Sequence, residues 1–210
     1  MDKEIIMTPE QLFFMGRLLQ AKYIDYAYVA AMNDINQNFS LFETEAKAAL
    51  VSTGVLMEDF SGNVEVDPTV LSVLKPIFFG ETETSIDICD IGEKNTVSVY
   101  KYHFYDGAVT LVTGARGKLV IKTADQLSIR EKVESLISKD YHAENLIVET
   151  IDKASISRFI AFKRICVGKT SMVKTYIEAD GVFYQENEES IESVTYPQFV
   201  EDAFNVVKGV

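Results

Sequence analysis

Residues 96–113 read TVSVYKYHFYDGAVTLVT, and this stretch decides the fold class. Aromatic and β-branched residues, which are typical of strands, lie on both sides of Asp106-Gly107. Asp-Gly between two such runs is the strongest short-range signal for a hairpin, because the tight turn requires positive φ angles. We therefore predict strands at 96–105 and 108–113, joined by a two-residue turn.

Further strands extend this hairpin in both directions along the chain. Glycine-containing turns at 92–95 and 114–117 flank it, and Asp180-Gly181 marks another tight hairpin. Alternating or β-branched runs predict the other strands, at 83–91, 118–122, about 158–167, 171–179 and 182–188. Such short connections favour antiparallel neighbours, so the pattern predicts an antiparallel meander.

Helix start and stop signals place helices around these strands. Thr8 with Gln11 forms a capping box after a short strand at 5–7, and Ser40 with Glu43 forms a second one. Asp67-Pro68 starts a short helix that we expect Pro76 to stop. The other helices are predicted at 9–20, 22–32, 41–53, 125–139 and 196–208. The predicted fold class is α+β, with a central antiparallel sheet and helices packed on it.

A short pattern recurs three times in the chain. A strand end, a Thr cap, an acid or Pro, a Gln and an apolar helix face occur at 6–12, 120–127 and 193–199. One interpretation is a single domain over 1–210 built from two pseudo-symmetric halves, about 1–107 and 108–210. The other is that helix capping chemistry converged, and the sequence leaves both open.

The charge balance excludes several classes of partner. The chain carries 32 acidic and 20 basic residues, for a net charge of -12. Such a surface repels nucleic-acid phosphates and anionic membranes, so neither is expected as a partner. The N-terminus lacks the pattern of a signal peptide, and no apolar run reaches the ~18 residues of a membrane span. We expect a cytoplasmic protein in which Cys89 and Cys166 are buried thiols.

No motif in the sequence predicts catalysis, a cofactor or a metal. Gly168-Lys169-Thr170 resembles the end of a phosphate-binding loop, but Lys163 stands where that loop needs a glycine. His103 lies within a strand and His142 within a polar loop, and neither has a neighbour at zinc-ligand spacing. We therefore predict no catalytic residue, no cofactor and no metal site.

The order of the elements resembles the EspG-like family, the cytosolic chaperones of type VII (ESX) secretion systems. The similarity rests on TPEQL at 8–12, AKAALVSTGVL at 46–56 and VLSVLKP at 70–76, followed by the meander. It implies a quasi-twofold α+β fold that binds helical-hairpin secretion substrates before export. The low-glycine, Lys/Glu/Asn-rich composition is similar to Firmicutes members, which implies LXG- or WXG-like clients rather than the PE–PPE pairs of mycobacteria.

The resemblance supplies no fixed binding motif, so the predicted partner-binding residues are positional. They lie in two turns of the meander and, if exposed, on the last helix: Gly92, Glu93, Lys94, Asn95, Gly114, Ala115, Arg116, Gly117, Phe199 and Phe204. The apolar helix at 9–20 and the tyrosines at 23, 26 and 28 are further candidates for either core or interface.

Two other functions remain open at this stage. An acidic immunity protein that inhibits a cognate secreted toxin is consistent with the net charge of -12 and the small size. An enzyme of unrecognised type is the third interpretation. Inhibition driven by charge weakens steeply as salt rises, whereas apolar binding of a client does not. Ionic strength therefore distinguishes an immunity protein from a chaperone.

Overall fold

A computed structural model describes residues 4–32, 39–91, 96–115, 117–143, 146–166, 169–186 and 190–208. The helices are α1 (Pro9–Leu18), α2 (Tyr26–Ala30), α3 (Phe39–Ser52), α4 (Pro68–Phe79), α5 (Gln126–Glu134) and α6 (Tyr196–Val207), with a 3-10 turn at Lys153–Ser155. The strands are β1 (Ile5–Met7), β2 (Leu56–Glu58), β3 (Val64–Val66), β4 (Thr82–Asp90), β5 (Thr96–Tyr105), β6 (Ala108–Ala115), β7 (Lys118–Ala124), β8 (Ile147–Val148), β9 (Ile156–Cys166), β10 (Lys169–Ala179), β11 (Val182–Glu186) and β12 (Ile191–Ser193).

The fold is α+β, as predicted. Ten strands form one antiparallel sheet in the order β1-β7-β6-β5-β4-β9-β10-β11-β12-β8, and β2 pairs with β3 in a separate hairpin. Asp106 and Asp180 have φ angles of 49°, and the glycines that follow them have φ angles of 75° and 76°. These values fit the two tight hairpin turns predicted from Asp-Gly.

The described chain divides into two compact units that interleave in sequence. Unit 1 comprises Met1–Glu81 and His103–Thr123, and unit 2 comprises Thr82–Tyr102 and Ala124–Val210. The division into related halves, 1–107 and 108–210, stays a prediction.

Unit 1 buries one apolar cluster between its helices and strands. Leu12 and Met15 of α1 are fully buried, as are Val70 and Leu74 of α4. Val112, Leu119 and Ile121 of β6 and β7 complete the cluster from the sheet. Thr110 on β6 donates its hydroxyl to the Val73 carbonyl at 2.6 Å, so a buried polar group is satisfied within this core.

Unit 2 packs α6 on the sheet through aromatic side chains. Phe199 of α6 lies against Phe162 of β9, Tyr176 of β10 and Phe183 of β11, with ring centroids 4.7–5.7 Å apart. Arg164 of β9 donates to the carbonyls of Asn205 and Val206, which lie in the last turn of α6. Burial raises the pKa of Tyr176.

Capping explains where three helices start. Thr8 and Thr195 form capping boxes with Gln11 and Gln198, as the recurring pattern indicates. The middle copy differs: the N-cap of α5 is Asp125, which pairs with Ser128, so the prediction of Thr123 as the cap was wrong. Thr123 instead lies within β7, because the strand continues to Ala124 before the chain turns.

Several predicted boundaries were also wrong. Pro76 lies inside α4, where the burial of Pro76, Ile77 and Phe78 outweighs the missing backbone hydrogen bond. α3 begins at Phe39, one residue before the predicted cap Ser40. The helix predicted at 22–32 is shorter and comprises only α2 (Tyr26–Ala30). The helix predicted to reach 139 ends at Glu134. Strand β12 was missed because three residues show no clear period.

Candidate protein-binding surface

The predicted partner-binding residues of the two meander turns lie mostly outside the described residues. Gly92, Glu93, Lys94, Asn95 and Arg116 lie outside the described residues. Gly114 and Ala115 belong to the end of β6, and Gly117 follows with a φ of 74°, as a turn glycine. Whether these turns bind a partner stays a prediction.

The two phenylalanines predicted on α6 have different environments. Phe199 is fully buried in the aromatic cluster of unit 2, so it fails the condition of exposure on which its role depended. Phe204 is half-buried, and the Arg130 guanidinium carbon lies 5.4 Å from its ring centroid. The sequence does not distinguish these two environments, because core and interface aromatics have the same helical spacing.

The two histidines and the two cysteines differ in burial and in their contacts. His103 is buried, and its Nε2 lies 2.7 Å from the Tyr28 hydroxyl. His142 is exposed. Cys89 and Cys166 are free but half-buried, so the prediction of buried thiols was wrong. Across the parts of the chain that are described, no group of three or more His, Cys, Asp or Glu side chains is placed to hold a metal ion.

A groove with a volume of about 290 Å³ lies between α1 and α3 of unit 1. Phe42, Glu45, Ala46 and Ala49 of α3 form one wall, at the i, i+3, i+4 and i+7 positions of a single helix face. Thr8, Glu10 and Gln11 from the start of α1 form the other.

Local sequence holds both walls in place. The capping box of Thr8 and Gln11 fixes the start of α1, while Leu12 and Met15 anchor its inner face in the core. Phe42 packs against Phe13 of α1, with ring centroids 6.3 Å apart. Ala46 and Ala49 have small side chains that leave space beside α3, and with Phe42 they make this wall of the groove largely apolar.

The rim of this groove is acidic. Glu45 is exposed, and Glu10 lies opposite on the first turn of α1. A partner that lays an apolar face in the groove therefore gains from a Lys or Arg at its edge.

A second feature, the β2–β3 hairpin, presents an aromatic side chain to solvent. Phe60 in its turn is fully exposed, and Met57 is 48% exposed. Asp59 accepts hydrogen bonds from the backbone of Ser61 and from the backbone and side chain of Asn63, at 2.8–3.0 Å. The Asn63 side-chain bond is the main cause that lowers the Asp59 pKa.

The hairpin is also tied to α3. Lys47 Nζ lies 2.7 Å from Glu58 Oε1 and 3.0 Å from the Gly62 carbonyl. Hydrogen bonds within the turn and to Lys47 of α3 therefore hold the turn that carries Phe60. Because the turn is already ordered, less conformational entropy is lost when Phe60 binds a partner. Sequence reasoning missed Phe60, although an aromatic residue beside Ser61-Gly62-Asn63 is a detectable signal.

The other candidates of the N-terminal region divide between core and surface. Tyr26 is 80% exposed at the start of α2, whereas Tyr28 is buried and Tyr23 half-buried. On α1, the side chains of Phe13, Phe14 and Leu18 are half-buried. Most of that helix therefore packs inside unit 1.

The longest described helix has 14 residues, and no described helix has the length and apolar character needed to cross a membrane.

Comparisons with known proteins give a match in structure but none in sequence. No protein-family model matches the chain, and no curated protein matches it. Among solved structures, the fold is similar to that of the Mycobacterium tuberculosis type VII secretion system chaperone EspG5, determined in complex with a PE25–PPE41 dimer. The TM-score is 0.62 at 11% identity, and the match covers 98% of this chain and 95% of that one. The chain therefore shares the fold of a type VII secretion chaperone.

Proposed function

We propose that this protein is a non-enzymatic chaperone or adaptor that binds a helical substrate of a type VII secretion system in the cytoplasm before export. The observation that carries the proposal is the fold likeness to EspG5, which spans almost the whole of both chains. EspG5 is a chaperone, and its structure was determined in complex with a protein dimer. For this chain, the proposed clients are helical hairpins of the LXG or WXG kind.

The α1–α3 groove is the proposed client site. An amphipathic helix that binds in such a groove is recognised through its side chains at i, i+3, i+4 and i+7. The α3 wall of Phe42, Ala46 and Ala49 suits the apolar side of that helix, and Glu10 and Glu45 suit a basic residue beside it. Phe60 supplies an exposed aromatic anchor on the neighbouring hairpin.

Capture from the native cytosol tests this function. The tagged full-length protein is isolated at moderate salt, and co-purifying proteins are identified by mass spectrometry. A near-stoichiometric helical protein that is exported by the secretion system supports the proposal. Recovery of the protein without such a partner, from cells that express the secretion system, argues against it.

The alternative, an immunity protein that caps a basic toxin, is favoured by the net charge of -12. Its signature is a toxin domain in the captured complex, with an affinity that falls steeply as salt rises. A chaperone complex formed mainly by apolar contacts keeps most of its affinity over the same salt range.

A further inference from the structure

The β2–β3 hairpin of unit 1 has a strand edge with no partner strand. Residues 55–67, which form the whole hairpin and its turn, all belong to the described chain. β3 pairs with β2 on one side, in a sheet of its own that is separate from the large one. Among the described strands, none pairs with β3 on the other side. The outer side of β3 is therefore an open edge.

The hydrogen bonds of the hairpin show which backbone groups point to this edge. In an antiparallel pair, the direction of the N–H and C=O groups alternates along each strand. The Asp67 N–H donates to the Val55 carbonyl at 3.1 Å, so Asp67 directs its N–H to the side of β2. By alternation Glu65 also directs its groups to β2, whereas Val64 and Val66 direct theirs to the open side.

This edge lies at the surface of unit 1. Asn63, Glu65 and Pro68 are exposed, whereas Val64 and Val66 are half-buried because their side chains pack against the core. No hydrogen bond joins the backbone of these two valines to another described element. Each valine therefore offers one N–H and one C=O group to a further strand, as open strand edges do.

The charge beside the edge is negative. Glu65 projects from the outer face of the hairpin and forms no ion pair with the described residues. Glu58 and Asp59 lie on the same hairpin, and the ammonium group of Lys47 is already bonded to Glu58 at 2.7 Å. A strand that pairs with β3 places one side chain directly opposite Glu65, and a Lys or Arg at that position is favoured.

We propose that the outer edge of β3 is a docking site for an extended, basic segment of a partner protein, which adds to the hairpin as a third strand antiparallel to β3. A Lys or Arg of this segment lies opposite Glu65. Apolar or β-branched residues lie opposite Val64 and Val66, on the face that packs towards the core. The site is separate from the α1–α3 groove, so it does not depend on the chaperone function.

A second copy of this chain fits the edge less well. Antiparallel pairing that uses both valines of each copy sets Glu65 opposite Glu65, and like charges directly opposite destabilise a strand pair. A shift of the register in one direction sets Val64 opposite Pro68, which belongs to α4 and has no N–H. A shift in the other direction sets Val66 opposite Gly62, whose φ of 82° is not that of a strand. The occupant to which we commit is therefore a separate basic segment.

The synthetic peptide Ac-Thr-Val-Lys-Val-Thr-NH2 tests the site. It is titrated to millimolar concentration into the isotope-labelled full-length protein, and the amide NMR signals of Val64, Glu65 and Val66 should shift. N-methylation of either valine of the peptide removes an N–H directed at β3 and should weaken binding about tenfold or more. N-methylation of the peptide lysine is the matched control, because its N–H points away from β3 and binding should be unchanged.

Variants of the protein test the charge. Glu65→Lys should weaken binding of the peptide several-fold and should bind Ac-Thr-Val-Glu-Val-Thr-NH2 better than the parent does. Glu149→Lys makes the same change of charge at an exposed position in unit 2 and should bind as the parent does. Because both side chains are exposed, neither substitution should unfold the protein.

Four outcomes overturn the proposal. The first is that no amide of β3 shifts at millimolar peptide, and the second is that methylation of the lysine weakens binding as much as methylation of the valines. The third is that Glu65→Lys binds both peptides as the parent does. The fourth is that sedimentation shows a dimer joined at this edge.

Discussion

The hydroxyl of Tyr28 on α2 and Nε2 of His103 on β5 lie 2.7 Å apart in the buried core of unit 1. The two residues are 75 positions apart in sequence, so this hydrogen bond joins the N-terminal segment of unit 1 to its second segment, which begins at His103. α2 has only five residues and gains little stability from its own length. Tertiary contacts of this kind hold it in place.

Tyr28→Phe should therefore destabilise the protein without changing its fold. It removes a buried hydroxyl and one hydrogen bond of His103, for an expected loss of about 1–2 kcal/mol in the free energy of unfolding. Urea denaturation measures the loss. Tyr26→Phe is the matched control, because Tyr26 is 80% exposed and its substitution should leave the midpoint unchanged. Equal midpoints for all three proteins contradict the structural role of Tyr28.

Among the described glycines, Gly80 is the one at which an added methyl group has least space. A Cβ there would clash with the carbonyl oxygens of both Phe104 and Pro76, and neither backbone atom can move freely. Gly80→Ala should lower the free energy of unfolding by about 2 kcal/mol or more, as overpacked sites do. Gly114→Ala has no atom within 4 Å of the new Cβ and should be nearly neutral. Thermal denaturation of the two variants checks the contrast.

The client groove predicts a contrast between two adjacent alanines of α3. Ala49 lines the groove, whereas Ala48 is exposed outside it. Ala49→Arg places a long side chain where the client helix packs, so the affinity for the captured client should fall about tenfold or more. Ala48→Arg adds the same charge and should bind normally. Calorimetric titration of the client into each variant measures the two affinities. Equal affinities exclude the groove as the client site.

Phe60 should affect binding and not stability. Its side chain is fully exposed, so Phe60→Ser should change the free energy of unfolding by no more than about 0.5 kcal/mol. If Phe60 anchors the client, dissociation of the complex should become about tenfold faster, which surface plasmon resonance measures. A Phe60→Tyr variant, which keeps the ring, should restore slow dissociation. Unchanged dissociation of Phe60→Ser removes the hairpin from the client site.

The cap of α5 predicts a pH dependence. Backbone and side-chain hydrogen bonds from Ser128 lower the Asp125 pKa below its usual value. A carboxyl whose pKa is depressed by folding contributes stability above its unfolded pKa, and this contribution is lost as pH falls through the folded pKa. Asp125→Ala should therefore lower the melting temperature at pH 7 and have less effect near pH 3.

The matched variant is Asp125→Asn, whose amide oxygen still caps the helix at every pH. Its melting temperature, compared with that of the parent protein, should depend on pH less steeply between pH 5 and pH 3. Scanning calorimetry at several pH values follows both variants. If the difference between Asp125→Ala and the parent is the same at pH 7 and pH 3, the cap does not depend on the carboxylate charge.

Local chemistry determined the parts of the fold that the sequence predicted well. The turns at Asp106-Gly107 and Asp180-Gly181 and the capping boxes of Thr8 and Thr195 involve residues at most three positions apart. Such patterns are visible in the sequence because the partner groups are neighbours in the chain. Pro76 shows the opposite case, since its tolerance inside α4 depends on burial against residues distant in sequence.

The candidate site was harder to predict for the same reason. Phe199 and Phe60 are both aromatic residues in amphipathic surroundings, yet one is fully buried and the other fully exposed. The difference arises from which elements pack over each residue.

The interleaving of the two units sets an order of events during synthesis. Unit 1 needs both Met1–Glu81 and His103–Thr123, because β1 pairs with β7. The ribosome must therefore add the 42 residues between 81 and 123 before the N-terminal segment has its sheet partner. At typical elongation rates this delay lasts about 2–8 s. During that interval the apolar faces of α1 and α4 lack the strands β6 and β7 that cover them, so the nascent chain exposes surface of the kind that chaperones bind.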